Sequence, residues 1–240
     1  MPARLERSGR RDSHRKDSGT TRMSPTLDAV ATRFIACAAQ SSVEGLDIGC
    51  GSGLVAIEAL ERGARLVAID PDESYILRLL DGVRAANRER LRTEVARVPN
   101  VDFEPGRFGA VHVARVLQNL TPDDLALSLR KIATWIAPNG RLFISAFAPD
   151  GERWRCFNAD YEQHVAKGER WPGYIGSFKD QFLGWNDTAP SMHLLDERIL
   201  GRELVSSGFA LEEFHHYRLP WDDGLTCCGI VAFPLARSTH

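Results

Sequence analysis

Residues 47–53 read D-I-G-C-G-S-G and follow residues 43–48, a short apolar run with the length of a buried strand. The three glycines let the backbone turn sharply, and they leave no Cβ atom between the backbone and a ligand. The stretch 54–62 is typical of a helix, which Gly63 ends. The segment therefore predicts a strand, a tight turn open to a ligand, and a helix.

A second acidic residue, Asp70, lies 21 positions beyond Gly49, at the end of the next predicted strand, residues 65–69. A carboxylate at this place can accept the hydroxyl groups of a ribose bound in the crevice between the first two strands. The glycines alone are as consistent with a simple tight turn. Glycines and an acid at this spacing, in a strand–helix–strand unit, favour a nucleoside ligand.

The rest of the chain alternates strands and helices, as in a parallel sheet covered on both faces. Three further strands are predicted at residues 94–98, 108–113 and 141–146. The predicted helices begin at Pro25 behind an N-cap at Ser24, at Pro71, and at Thr121, the last of them running to Ile136. A helix over 197–207 precedes strands at 209–217 and 229–233, which no helix separates and which should pair antiparallel.

Two regions interrupt this alternation. Residues 150–195 carry eight aromatic side chains without a clean period, and we interpret them as an insertion after strand five that caps the acceptor site. Residues 1–22 hold seven Arg or Lys residues and form a lid, a solvated tail or a phosphate-binding arm. We therefore predict a basic arm over 1–22 and a single domain over 23–240.

Charge and cysteine content limit the binding partners and the cellular compartment that we expect. The 240 residues carry 30 Lys and Arg against 32 Asp and Glu, so no overall field draws the protein to nucleic acid or to an anionic membrane. Five cysteines without a C-x-x-C pair predict neither a disulfide framework nor a metal site. The apolar runs are strand-sized, so we expect a cytoplasmic protein without a membrane segment, and its oligomeric state is left open.

The spacing of the glycines separates two nucleotide-binding families. A dinucleotide fingerprint, G-x-G-x-x-G, needs a third glycine where this chain has Leu54, which disfavours a nicotinamide-dependent oxidoreductase. The pattern D-x-G-x-G-x-G instead resembles motif I of class I S-adenosylmethionine-dependent methyltransferases. The likeness extends to Asp70 with Pro71, to residues 108–120, to residues 136–144 and to the terminal hairpin.

The resemblance implies an α/β, Rossmann-like fold with a seven-stranded, mostly parallel sheet, helices on both faces and an antiparallel strand seven. It also implies S-adenosylmethionine as the cofactor. The amino-acid end of the cofactor would meet the turn and the ribose would meet the end of strand two; the residues concerned are Asp47, Gly49, Cys50, Gly51, Gly53, Asp70 and Pro71. The connection after strand three departs from the family pattern.

Asp102 and Phe103 are the candidates for adenine contacts, although they fit a turn cap and a core residue equally well. Arg115, at the carboxyl end of strand four, is a candidate for a backbone contact with the cofactor.

Methyl transfer from a sulfonium is a direct displacement, so alignment of acceptor, methyl and sulfur is the main task of the protein. A hydroxyl or amine acceptor benefits from a base, for which His193 and His164 are the candidates; a solvated or satisfied polar role fits each of them better. His112, inside the fourth strand, is interpreted as a core histidine. Predicted acceptor contacts come from strand four, the insertion and the arm: Gln118, Asn119, Trp171, Tyr174, Trp185, Arg11 and Lys16.

The leading hypothesis is therefore methyl transfer to an oxygen, a nitrogen or a carboxylate of a small molecule. Two alternatives stay open. In the first alternative, the chain is a non-catalytic regulatory protein that binds S-adenosylmethionine. In the second, it is a methyltransferase that modifies RNA held by residues 1–22.

Overall fold

A computed structural model describes residues 27–176, 191–219 and 224–235. The described helices are α1 (Ala29–Gln40), α2 (Leu54–Glu61), α3 (Glu73–Gly82), α4 (Pro122–Trp135), α5 (Arg155–Ala166) and α6 (Glu197–Ser206). The described strands are β1 (Gly45–Ile48), β2 (Leu66–Asp70), β3 (Leu91–Val95), β4 (Phe108–Ala114), β5 (Ile136–Phe147), β6 (Tyr174–Ile175), β7 (Met192–His193), β8 (Phe209–Arg218) and β9 (Thr226–Pro234). Short 3-10 helices cover Ala85–Arg90, Leu117–Asn119 and Glu152–Trp154.

Seven strands form one sheet in the order β3-β2-β1-β4-β5-β9-β8. The first five are parallel to one another, and β9 runs antiparallel to both of its neighbours, β5 and β8. The carboxyl ends of β1, β2, β4 and β5 therefore meet at one edge of the sheet, where open α/β sheets bind their ligands. This architecture confirms the predicted fold class.

Helices cover both faces of the sheet and give two separate cores. On one face, α4 and α6 pack against β1, β4 and β5 in a cluster that includes Leu129, Trp135 and Leu200. On the other face, α1, α2 and α3 pack against the same sheet around Phe34, Leu60 and Leu79. All residues of β1 and β2 are buried, and their side chains are apolar except for one acidic residue in each strand. These two acidic side chains therefore lie within the covered part of the sheet.

The first residues of α1 and α4 come directly after residues that cap the helix. Thr121 caps α4 as predicted, since its Oγ1 accepts a hydrogen bond from the Asp124 N–H at 3.3 Å, and Pro122 is the first helical residue. In α1 the cap is Asp28, whose Oδ1 accepts from the Ala31 N–H at 2.8 Å. The predicted N-cap at residue 24 lies outside the described residues.

Several strand boundaries differ from the prediction, and two of the differences have a clear structural reason. β3 covers Leu91–Val95 instead of 94–98; it is an edge strand, so few of its side chains are buried and the apolar pattern is weak. β5 begins at Ile136, which already pairs with Phe108, instead of at residue 141; residues 138–140 lie within this strand, whose register with β4 shifts between Phe108 and Ala110. A Cβ on Gly140 would lie 2.9 Å from the Gly109 carbonyl oxygen, so only glycine fits that close approach.

A small cap covers the carboxyl end of β5 and the start of β9. It consists of α5 and the hairpin β6–β7, whose buried apolar side chains pack with Phe147 and Leu225. Of the predicted insertion, residues 177–190 lie outside the described residues. Among the helices that the structure describes, none is long and apolar enough to cross a bilayer.

Candidate functional site

The turn between β1 and α2 is held by backbone hydrogen bonds and by left-handed glycines. The N–H groups of Gly49 and Cys50 donate to the Ile69 carbonyl at 2.8 and 3.1 Å, which ties the turn to β2. Gly49, Gly51 and Gly53 have φ angles of 71°, 52° and 90°, a region that L side chains rarely adopt. The backbone at each position therefore favours glycine.

The surroundings of the three glycines differ. A Cβ on Gly49 would lie 2.3 Å from Val116 in the loop after β4, and one on Gly53 would lie 2.4 Å from Leu79 of α3. A Cβ on Gly51 would meet no heavy atom within 4 Å. Gly49 and Gly53 thus permit close packing, whereas the backbone at Gly51 faces open space and is accessible to a ligand.

Asp70 lies at the carboxyl end of β2, beside this turn. Its Oδ2 accepts the Gly51 N–H at 3.0 Å and its Oδ1 accepts the Asp72 N–H at 2.9 Å, so the carboxylate is fixed in orientation. Burial raises the pKa of Asp70, against the lowering effect of these two hydrogen bonds. Each carboxylate oxygen keeps acceptor capacity for a further hydroxyl group. Pro71 follows on the exposed surface.

Asp47 lies at the carboxyl end of β1 and is 2% exposed. Its Oδ1 is 2.8 Å from Nδ1 of His112 on β4, and its Oδ2 has no hydrogen-bond partner. The interpretation of His112 as a core residue is confirmed by its 2% exposure, although its contact with Asp47 went unrecognised. A buried, unpartnered carboxylate oxygen beside the glycine turn is suited to receive a cationic group.

Cys50 occupies the turn but points away from its open side. Its side chain is buried among the apolar residues of the core beneath α1 and α2. Burial raises the pKa of its thiol, and the negative charges of Asp47 and Asp70 raise it further. Cys50 is therefore a packing residue, and only its backbone belongs to the open face of the turn.

The two candidates for adenine contacts, Asp102 and Phe103, lie away from the glycine turn. The ring of Phe103 packs edge-on against Phe108 and Trp135 at centroid distances of 5.1 Å each. Asp102 is exposed and pairs with Lys131 at 2.8 Å. Because Phe108 begins β4 and Trp135 ends α4, these contacts lie at the amino edge of the sheet, opposite the glycine turn.

β3 ends three residues earlier than predicted, which changes the residues expected beside the end of β2. The strand ends at Val95, so residues 96–101 follow it at the carboxyl edge. The Ala96 N–H donates to the Asp70 carbonyl at 3.1 Å, which places Ala96 and Arg97 beside the end of β2. These are the residues that sequence reasoning missed next to Asp70.

Arg115, which follows β4, has a left-handed φ of 56° and is the one non-glycine residue with positive φ among those that the structure describes. Its backbone N–H donates to the Ser145 carbonyl at 2.7 Å, and its guanidinium lies 3.4 Å from Oδ2 of Asp28. The Tyr217 hydroxyl donates to the same Oδ2 at 3.0 Å and lies 2.6 Å from the Ser145 hydroxyl. This polar network of Asp28, Arg115, Ser145 and Tyr217 was not predicted from the sequence.

Gln118 and Asn119 occupy the 3-10 turn after β4 but differ in their surroundings. Gln118 is 3% exposed, and its Oε1 has no hydrogen-bond partner. Asn119 is exposed, and its side-chain amide donates to the Arg115 carbonyl at 3.2 Å. Gln118 thus retains an acceptor for a ligand, whereas Asn119 supports the backbone of Arg115.

The cap places His193 against the same turn. His193 is fully buried, with the rings of Trp171 and Tyr174 at centroid distances of 5.0 and 5.4 Å, and neither of its ring nitrogens makes a well-formed hydrogen bond. Burial lowers its pKa to about 4, against the opposing effect of the Leu120 carbonyl, so the imidazole is neutral at pH 7. The structure therefore brings together His193, Trp171 and Tyr174.

His164 lies elsewhere. It is on α5, its side chain is 42% exposed, and its Nδ1 pairs with Glu169 at 3.0 Å, which fits a surface polar role. The remaining predicted acceptor contacts, Arg11, Lys16 and Trp185, lie outside the described residues.

The order of the sheet, its antiparallel β9 and the glycine turn at the end of β1 together form the class I methyltransferase fold. Residues 46–140 match the family model described as a methyltransferase domain. This match identifies a methyltransferase domain over residues 46–140, and the sheet around it has the fold of class I methyltransferases.

Three similar proteins illustrate the range of this family. Ubiquinone biosynthesis O-methyltransferase of Xanthomonas campestris pv. campestris (strain B100) is 33% identical over 126 residues, which are 50% of this chain and 47% of that protein. Ribosomal protein L11 methyltransferase of Xylella fastidiosa (strain Temecula1) is 31% identical over 115 residues, 47% of this chain and 35% of that protein. The structure of 1,6-didemethyltoxoflavin-N1-methyltransferase of Burkholderia thailandensis, with 1,6-didemethyltoxoflavin and S-adenosylhomocysteine bound, superposes with a TM-score of 0.60 at 21% identity, covering 87% of this chain and 79% of that chain.

The chain spans about half the length, or less, of the curated relatives it matches. Those relatives differ in the acceptor that their names specify. An acceptor for this chain must therefore be argued from its own residues.

Proposed function

We propose that this chain transfers the methyl group of S-adenosylmethionine to a small-molecule acceptor at the carboxyl edge of β4 and β5. The observation that carries the proposal is the pairing of an open glycine turn with two fixed carboxylates. Gly51 faces free space, Asp47 presents an unpartnered oxygen, and Asp70 is oriented by the turn itself. These groups fit the cofactor at three separate points.

Each group would hold one part of the cofactor. Asp47 would receive the ammonium group of the amino-acid end, the backbone at Gly51 would pack against that end, and Asp70 would accept the ribose hydroxyls. When bound, the sulfonium supplies a methyl group that is already activated for displacement. The contribution of the protein is then orientation, which is worth roughly 7–11 kcal/mol in well-aligned reactions.

Two buried groups support a small acceptor. Gln118 has a free acceptor oxygen, and His193 offers a neutral imidazole without well-formed hydrogen bonds. Both are buried, and His193 packs against Trp171 and Tyr174 of the cap, an enclosed arrangement that suits a small acceptor better than an extended protein surface. We propose that Gln118 and His193 bind a hydroxyl or amine group of the acceptor, and that residues 150–195 form the cap of a single domain over 23–240.

The first experiment tests cofactor binding. Isothermal titration calorimetry with S-adenosylhomocysteine is expected to give a micromolar Kd for the wild-type protein and at least a tenfold weaker Kd for Asp70→Ala. Glu73→Ala, an exposed acid in the first turn of α3, is the matched control and should bind normally. Absence of binding by the wild-type protein would refute the proposal.

The second experiment identifies the acceptor class. The protein is incubated with methyl-labelled S-adenosylmethionine and a cell extract, which is then separated into small molecules, protein and RNA. We expect label in the small-molecule fraction. Label in RNA would support an RNA-modifying enzyme, and cofactor binding without any labelled product would support a regulatory protein.

Protein methylation is the second candidate function. It is favoured by the match to ribosomal protein L11 methyltransferase over 115 residues. Purified L11 added to the same assay distinguishes the two proposals, because a small-molecule enzyme leaves it unlabelled.

All five cysteines are free thiols, which supports our proposal that the reaction takes place in the reducing cytoplasm.

A further inference from the structure

The buried pair of Asp47 and His112 lies directly beneath the glycine turn. The two residues are opposite each other in the parallel register of β1 and β4, so their side chains extend from the same face of the sheet. Oδ1 of Asp47 and Nδ1 of His112 are 2.8 Å apart. An ionised carboxylate only accepts hydrogen bonds, so Nδ1 of the imidazole carries the shared proton.

Each member of the pair keeps one polar atom without a partner, Oδ2 of Asp47 and Nε2 of His112. The turn does not satisfy Asp47, because the Gly49 and Cys50 N–H groups donate to the Ile69 carbonyl. Oδ2 of Asp47 is therefore a buried acceptor that no described residue satisfies. An unsatisfied buried acceptor is costly inside a protein, and a cationic ligand group would satisfy it.

Packing fixes the imidazole in place. The ring stacks on Phe34 of α1 with a centroid distance of 5.0 Å and an interplanar angle of 21°. Phe34 is fully buried and also contacts Phe143 edge-on at 5.9 Å, so it is itself held by the core. His112 therefore donates to Asp47 from a fixed direction.

We infer that His112 is a positioning residue for cofactor binding, which rests on the proposed function. Its Nδ1–H engages Oδ1 of Asp47 and so directs Oδ2 toward the ammonium group at the amino-acid end of the cofactor. His112 does not touch the cofactor in this arrangement. Its effect passes through Asp47 and is confined to ligands that carry the ammonium group.

Two ligands test this inference on the full chain. S-adenosylhomocysteine carries the ammonium group, whereas 5′-methylthioadenosine keeps the adenosine and the thioether but lacks the amino-acid end. Calorimetric titration of His112→Phe, which keeps an aromatic ring on Phe34 and removes the donor, is expected to weaken S-adenosylhomocysteine binding about 10- to 100-fold, as for one hydrogen bond to a charged group. The Kd for 5′-methylthioadenosine should differ by less than about threefold between His112→Phe and the wild-type protein.

A rescue variant separates positioning from packing. His112→Asn places an amide donor near the Nδ1 position and should retain S-adenosylhomocysteine binding within about fivefold, roughly 1 kcal/mol. Combining His112→Phe with Asp47→Asn should weaken binding no more than Asp47→Asn alone, because both changes disable one unit. If circular dichroism shows His112→Phe to be unfolded, His112→Leu replaces it with the same expected loss.

The outcomes are distinct from those of the proposed function. Equal loss of both ligands in the donor-free variants, or unchanged S-adenosylhomocysteine binding, would overturn the positioning role while leaving the function intact. A wild-type protein that binds neither ligand would overturn the proposed function and this inference with it.

Discussion

Replacing Gly51 with alanine separates the ligand role of the turn from its structural role. The φ of 52° imposes a backbone strain of about 1–2 kcal/mol on any L side chain. The new methyl group meets no heavy atom within 4 Å, so no clash adds to this cost. For a chain of this size, we expect Tm to fall by about 2–8 °C, since 1 kcal/mol corresponds to roughly 2–4 °C.

The affinity for S-adenosylhomocysteine should fall much more than the stability suggests. The methyl group of Gly51→Ala projects into the open space where the ligand approaches the backbone, so we expect a Kd at least about tenfold weaker, or 1.4 kcal/mol. Gly208 offers a matched control, because it also has a left-handed φ, 91°, and a Cβ added there would meet nothing within 4 Å, but it follows α6. Gly208→Ala should show the same fall in Tm with normal binding.

Differential scanning calorimetry and isothermal titration calorimetry measure the two effects on the same protein. Equal Kd values for Gly51→Ala and Gly208→Ala would refute the assignment of the open face to the cofactor. A fall in Tm for Gly51→Ala far beyond that of Gly208→Ala would show that the glycine is needed for folding alone.

Three further predictions concern buried polar groups. Burial lowers the pKa of His193 to about 4. Below pH 6.5 the folded protein therefore binds fewer protons than the unfolded chain. The free energy of unfolding should fall by about 3 kcal/mol as the pH is lowered from 6.5 to 4. Urea titrations of His193→Asn should show a smaller fall, and an identical pH dependence would contradict this. Tyr217→Phe removes the hydroxyl that donates to Asp28, and calorimetry should show a loss of about 1–3 kcal/mol; an unchanged Tm would argue against the network. With a thiol reagent, exposed Cys156 should react in the folded state, whereas Cys50 should react only after unfolding, because burial raises the pKa of the Cys50 thiol. Peptide mapping that finds early modification of Cys50 would contradict this.

Local pattern was enough to predict the turn and the sheet. Three positions that adopt left-handed φ hold glycine, an acid lies at the end of each of the first two strands, and the last two strands have no helix between them. These features depend on neighbouring residues, which a sequence displays directly. β3 was displaced because an edge strand buries few side chains and leaves a faint apolar pattern.

Contacts between distant residues were the part that could not be predicted. Tyr217 and Asp28 are 189 positions apart, and Asp47 and His112 are 65 positions apart. Only the strand order and the packing of α1 bring these side chains together. The same holds for Phe103, whose neighbours Phe108 and Trp135 place it at the amino edge of the sheet.

The position of β9 within the sheet has a consequence for synthesis. β9 follows β8 in the chain but lies between β5 and β8, so β8 has no strand to pair with, and cannot join the sheet, until β9 has been made. A chain that emerges from the ribosome amino end first can pair β1 to β5 early, while α6 and β8 wait. A ribosomal pause after β8 would therefore leave the edge of β5 unpaired, and an unpaired edge is open to wrong strand pairing.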